Sequence, residues 1–129
     1  MRSRPLSPHL TVYRFGYTMS MSIAHRICGL GLSAGLLLLV WWLMALATGP
    51  VAYQRAMAWL GHPLMKLALA LWLLSFVYHL ANGIRHLTWD MGVGLERHES
   101  RRSAWVTLGV VVVLFAVLLG GFLWAGGRA

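Results

Sequence analysis

Residues 67–84 read LALALWLLSFVYHLANGI, 18 consecutive positions without a charge. At 1.5 Å per residue the run extends roughly 27 Å as a helix, close to the hydrocarbon thickness of a bilayer, and predicts a membrane crossing. Outward from it lie two further uncharged runs, Ile27 to Gln54 (28 residues) and Ser103 to Gly127 (25 residues). The chain is 59% hydrophobic and 11% charged, with a mean hydropathy of +0.68, the values of a membrane protein and not of a soluble domain. The expected fold is all-α and integral to the membrane, with three transmembrane helices in one domain over 1–129. Its parts are a cytoplasmic N-terminal segment over 1–20 and helices over about 22–48, 63–89 and 103–125.

The net charge of +8 comes from 11 basic and 3 acidic residues. In a chain this apolar, the imbalance reports topology and not nucleic-acid binding. Arg2, Arg4 and Arg14 precede the first span, Arg26 stands at its edge, and Arg85, Arg97, Arg101 and Arg102 surround the second connection. By the positive-inside rule the N-terminus and that connection face the cytoplasm, or the matrix of a mitochondrion, and the C-terminus lies outside. The first twenty residues hold Pro5, Pro8 and three arginines but no continuous apolar core, so no cleavable signal is expected there. Cys28 is the single cysteine and forms no intrachain disulfide.

Along the chain, Ser20 or Ser22 is read as the cap of the first helix, since a serine hydroxyl accepts from an opening-turn amide. Ser22, His25 and Arg26 stand at i, i+3 and i+4 and are expected to share a face that could hold a carbonyl or a carboxylate. Gly29 with Ser33, and Gly31 with Gly35, give small-xxx-small spacing for close approach of a helix or a flat ligand. Thr48 to Pro63, with four Gly or Pro breakers, reads as a loop in which His62 is an ordinary interfacial residue. Met91 to Arg102 reads as a solvated cytoplasmic turn, and the third helix as lipid-facing scaffold with Gly120 and Gly121 as contact or breaker positions.

The chemistry concentrates at the end of the second span. His79 lies well inside the apolar run, where an ionisable group is costly and has a use. His86 follows by seven residues, nearly the same helical face about 10 Å further along. Gly83 between them removes a side chain and leaves room for a flat group. A lone core histidine is more often structural than a ligand, but the combination here fits haem b: an axial imidazole in an apolar slot, with cationic groups for two propionates at one edge. Only one histidine stands convincingly at depth, so a six-coordinate haem requires a second from another chain. A proton or metal transporter would place further ionisable residues at depth.

The segments RPLSPHLTVYRFGYTMSMSIAHRICG (4–29) and HLANGIRHLTWDMG (79–92) closely resemble the two signature regions of the cytochrome b556 subunit family of succinate dehydrogenase, the larger membrane anchor of respiratory complex II. Cys28, where the family usually has Ser or Thr, and Tyr17 depart from the pattern. The resemblance implies that His79 is the axial haem ligand and that His25, Arg26 and His86 lie near the propionates. It implies that Ser22 and Arg26 belong to a ubiquinone pocket completed by the iron–sulfur subunit and the smaller anchor, which also supplies the second axial histidine. The chain would then pack with that anchor into a helical bundle in a bacterial inner membrane, or a mitochondrial one. Electrons from succinate would arrive from the flavoprotein subunit through the iron–sulfur subunit, in respiration and the tricarboxylic acid cycle. The chain itself would not oxidise succinate. A fumarate reductase anchor running the reverse reaction, and a structural adaptor without cofactor, are the competing readings.

Overall fold

The computed structural model describes residues 16–126, all helix and short connections. Helix α1 is Tyr17–Thr48, α2 Pro50–Leu60, α3 Pro63–Asp90 and α4 Arg97–Gly126. Three of these, α1, α3 and α4, are long and apolar enough to cross a membrane.

Glycine and proline set the boundaries. Gly49, at φ 129°, ends α1 in a conformation that a side chain disfavours, and Pro50 opens α2 where its missing N–H is not needed. The stretch 48–63 is therefore not a simple loop: its breakers delimit an 11-residue helix. Helix α2 folds back on the end of α1, with the Trp59 indole edge-on to Trp41 at 5.4 Å and Ala56 buried. His62 is more than an interfacial residue, because its Nδ1 accepts from the Leu64 N–H at 3.3 Å and caps α3 ahead of Pro63. At the other end of α3, Gly92 and Gly94 take positive φ, and the Trp89 indole N–H donates to the Gly94 carbonyl at 3.1 Å.

Helix α1 opens at Tyr17, five residues before the expected start near 22, with Gly16 as its N-cap and no side-chain cap. Ser20 and Ser22 are not caps. The Ser20 hydroxyl donates back to the Gly16 carbonyl at 3.4 Å, and Ser22 stands in the second turn. The last four residues of the expected N-terminal segment, 17–20, thus belong to α1, while its residues 1–15 lie outside the described residues. Helix α4 begins at Arg97, so half of the expected polar turn is its first two turns. Gly120 and Gly121 lie within α4 and do not break it, and nothing in the chain lies within 4 Å of a Cβ placed at either.

The three spans run antiparallel in succession, with α3 between α1 and α4 and α1 touching α4 only lightly. Lipid gives little hydrophobic drive between helices, so close approach and hydrogen bonds must do the joining. The interior is accordingly small: Met21, Val77, Ala104 and Val111 are its buried apolar residues within the spans, while Leu30, Leu37 and Val117 point outward. Trp72 of α3 lies in the notch left by Gly35. Tyr78 donates to the Met21 carbonyl at 2.9 Å.

Candidate functional site

The start of α1, the end of α3 and the start of α4 meet at one end of the bundle. On α1, Met21, His25 and Gly29 are four residues apart, a spacing that keeps one face toward α3. On α3, His79 comes one residue after Tyr78, and the two side chains reach α1 carbonyls one turn apart, those of His25 and Met21. His79 Nδ1 is 3.0 Å from the His25 carbonyl. A carbonyl only accepts, so Nδ1 carries the proton and Nε2 keeps its lone pair. Nε2 makes no hydrogen bond.

His25 stacks on His79 with ring centroids 3.8 Å apart and 7° between planes. His86 approaches His25 at 5.3 Å, tilted by 48°, and Trp89 stands edge-on to His86 at 5.2 Å. The structure thus gathers three imidazoles and one indole. Gly29 makes this possible from one side, since a Cβ there would lie 3.0 Å from His79 Cε1. Gly83 faces the His25 ring from the other, where a Cβ would be 3.6 Å from its Cε1. The flat group expected against Gly83 is, in this structure, the imidazole of His25. Its Nδ1 is buried and has no partner. Among the described residues no three His, Cys, Asp or Glu side chains converge on a bare metal ion, so the three imidazoles are not a mononuclear metal centre.

The expected convergence of Ser22, His25 and Arg26 is not what the helix provides. Successive residues are turned by about 100°, so His25 faces α3 while Arg26 points out and Ser22 is half-buried at the margin. No hydrogen bond joins the three, and Arg26 makes no ion pair. Of the glycines, Gly29 and Gly35 touch α3, while Gly31 faces open space and the Ser33 hydroxyl donates back to the Gly29 carbonyl at 3.1 Å.

Sequence reasoning placed Arg85 with the topological charges of a loop. It is instead buried, 4% exposed, at the junction of all three spans. Its Nε donates to Ser103 Oγ at 2.9 Å, and Nη2 to the Ser100 carbonyl at 3.0 Å and Oγ at 3.3 Å. Nη1 donates to Asn82 Oδ1 at 3.4 Å and reaches Met21 Sδ at 3.8 Å. The guanidinium lies 4.0 Å from the centroid of the Trp89 ring. The available signal was the i, i+3 pair Asn82 and Arg85, placed between the two histidines of the same helix.

A family model described as succinate dehydrogenase/fumarate reductase transmembrane subunit matches residues 1–118. The chain belongs to that family. The succinate dehydrogenase cytochrome b556 subunit of Paracoccus denitrificans is 41% identical to it over 122 residues, which cover 91% of this chain and 90% of the relative. The cytochrome b556 subunit of Rickettsia prowazekii is 36% identical over 121 residues, 94% of this chain and 90% of the relative. The human mitochondrial succinate dehydrogenase cytochrome b560 subunit is 39% identical over 118 residues, 90% of this chain and 67% of the relative. Three long apolar helices accord with a transmembrane subunit, and the imidazole cluster sits at one end of them.

Proposed function

We propose that this chain is the haem b- and quinone-binding anchor of a succinate:quinone oxidoreductase, with His79 as its axial ligand. The observation that carries the reading is the His79 imidazole: Nδ1 donates to the His25 carbonyl at 3.0 Å, and the Nε2 lone pair is left free in an apolar segment. A backbone carbonyl on the far nitrogen is the arrangement that orients a metal-ligating histidine and raises its basicity. The buried, unpartnered Nδ1 of His25 also fits a group that brings its own polar edge, and the glycines at 29 and 83 let the two imidazoles lie close against the helices. His25, His86 and the unpaired Arg26 would hold the propionates. His25 and His79 stack face to face and do not present nitrogens from opposite sides of one iron, which supports a second axial histidine from the smaller anchor. Bound haem supplies a one-electron store in a low-dielectric slot.

Quinone reduction needs donors to the carbonyl oxygens and an apolar channel for the tail. Ser22 would donate to one oxygen, and the Arg26 guanidinium would stabilise negative charge developing there. Because Arg26 faces outward, the pocket would be closed by the iron–sulfur subunit and the smaller anchor. Succinate is oxidised in the flavoprotein subunit, not here. The N-terminus and the α3–α4 turn would face the bacterial cytoplasm, or the matrix in a mitochondrion. A visible spectrum of the purified complex tests the proposal: a reduced b-type α band is expected, and its absence leaves an anchor without cofactor. Whether the complex prefers succinate oxidation or fumarate reduction is decided by its rates in the two directions.

A further inference from the structure

The guanidinium of Arg85 is buried without a counter-ion. The three acidic residues of the chain, Asp90, Glu96 and Glu99, are all exposed, and none pairs with it. Its five acceptors are neutral: two serine hydroxyls, a serine carbonyl, an amide oxygen and a thioether. A buried cation with neutral partners is an expensive way to seat α4, because a neutral amide could make several of the same hydrogen bonds without desolvating a charge. The charge itself therefore has a use, and the neighbours indicate where. One side of Trp89 meets Arg85 and another meets His86, which in turn meets His25. In a low-dielectric interior without mobile ions, a unit charge at that range is only weakly screened.

We propose that Arg85 is a positioning residue that supplies a fixed positive field to the redox group held by the imidazole cluster. This rests on the haem reading above. Addition of one electron makes that group one unit more negative, so the nearby cation favours the reduced form and raises the reduction potential. The fork holds the charge in place through Ser103 on α4 and Asn82 on α3.

The test is a potentiometric titration of the b-type band in the assembled complex, with and without substitutions. Arg85→Gln is expected to shift the midpoint potential downward, and Arg85→Lys to stay closer to the parent because it keeps the charge. Ser103→Asp, which places a carboxylate on the Arg85 Nε, is expected to lower the potential with Arg85 intact. The neutral Ser103→Asn should leave it near the parental value. If Arg85→Gln does not assemble, the Asp and Asn variants of Ser103 decide the matter. Equal potentials in those two, or an unmoved potential in assembled Arg85→Gln, would overturn the role of the charge. A parent complex with no b-type band would instead remove the haem reading on which the inference stands.

Discussion

The imidazole of His25 lies flat on that of His79, centroids 3.8 Å apart and planes 7° from parallel, while the backbone carbonyl of His25 accepts from His79 Nδ1 at 3.0 Å. One residue thus orients the other twice, through its backbone and through its ring. The two are not equivalent, since His79 offers a free Nε2 and His25 offers a buried Nδ1 without a partner. His79→Ala is expected to remove or loosen haem in the assembled complex, because water is a poor substitute for imidazole in an apolar slot. His86→Ala should keep the haem and shift its potential. Low-temperature spectra and redox titration of both variants check this, and an unchanged low-spin band in His79→Ala would exclude His79 as the ligand.

Gly29 and Gly31 make a matched pair of substitutions. Alanine raises intrinsic helix stability by up to about 1 kcal/mol at either position. At Gly31 nothing lies within 4 Å, so Gly31→Ala should assemble at least as well as the parent. At Gly29 the new methyl would press on His79 Cε1 at 3.0 Å, and His79 cannot yield without releasing the His25 carbonyl. Gly29→Ala is expected to lower haem content per assembled complex, and Gly29→Val to lower it further. Equal haem content in the Gly29 and Gly31 variants would refute this.

Gly35 and Trp72 permit a packing test away from the imidazoles. A Cβ at Gly35 would overlap the Trp72 indole, whose Nε1 is buried and unpartnered. Gly35→Ala should destabilise the α1–α3 contact by about 1 to 3 kcal/mol, as overpacking does. Trp72→Leu should recover part of that loss in the double variant, giving a measurable coupling between the two positions. Thermal unfolding of the four-member set provides the numbers, and strict additivity would mean that the residues do not share space.

The three spans were legible because length and hydropathy alone decide them, and His79 stood out because an imidazole at membrane depth is costly. Other features could not be read in that way. Helix α2 was hidden because Gly49, Pro50, Gly61 and Pro63 break the chain equally well around a loop or around a short helix. The polar start of α4 read as a turn because Arg97, Glu99, Arg101 and Arg102 say water, and water-facing helix has the same composition. Arg85 was grouped with the loop arginines since sequence shows charge but not burial; only packing reveals that Ser100 and Ser103 come back to meet it. Ser22, His25 and Arg26 shared a nominal face, yet the choice of which of them meets α3 depends on helix rotation, which spacing does not fix.

The proposed sidedness rests on three helices long and apolar enough to cross a membrane and on Arg97, Arg101 and Arg102, exposed on the first turns of α4. In a Cys28→Ser background, His98→Cys should react with an impermeant thiol reagent from the cytoplasmic side only, and Gln54→Cys on α2 from the opposite side only. Both positions are exposed. Labelling of both from one side would contradict the single crossing by α3 that separates the two positions.

Ser22 and Arg26 carry the proposed quinone chemistry, and helix α1 narrows what else they could be doing. Ser22 lies in the second turn, so it is not the cap, and Ser22→Ala should leave helix stability almost unchanged. If its hydroxyl donates to a quinone carbonyl, the same change should depress quinone reduction while succinate oxidation with an artificial dye continues, because the dye test bypasses the anchor. Arg26→Leu should be more severe, since it removes both a fixed charge and a donor from the same edge. Arg26→Lys separates the two contributions: it keeps the charge and loses the planar fork, so partial recovery means electrostatics and no recovery means geometry. Arg26 is exposed and unpaired in the chain by itself, so neither substitution breaks an internal bond, and a loss of quinone turnover would come from the pocket and not from misfolding. Parental rates of quinone reduction in all three assembled variants would exclude the pair from the quinone site.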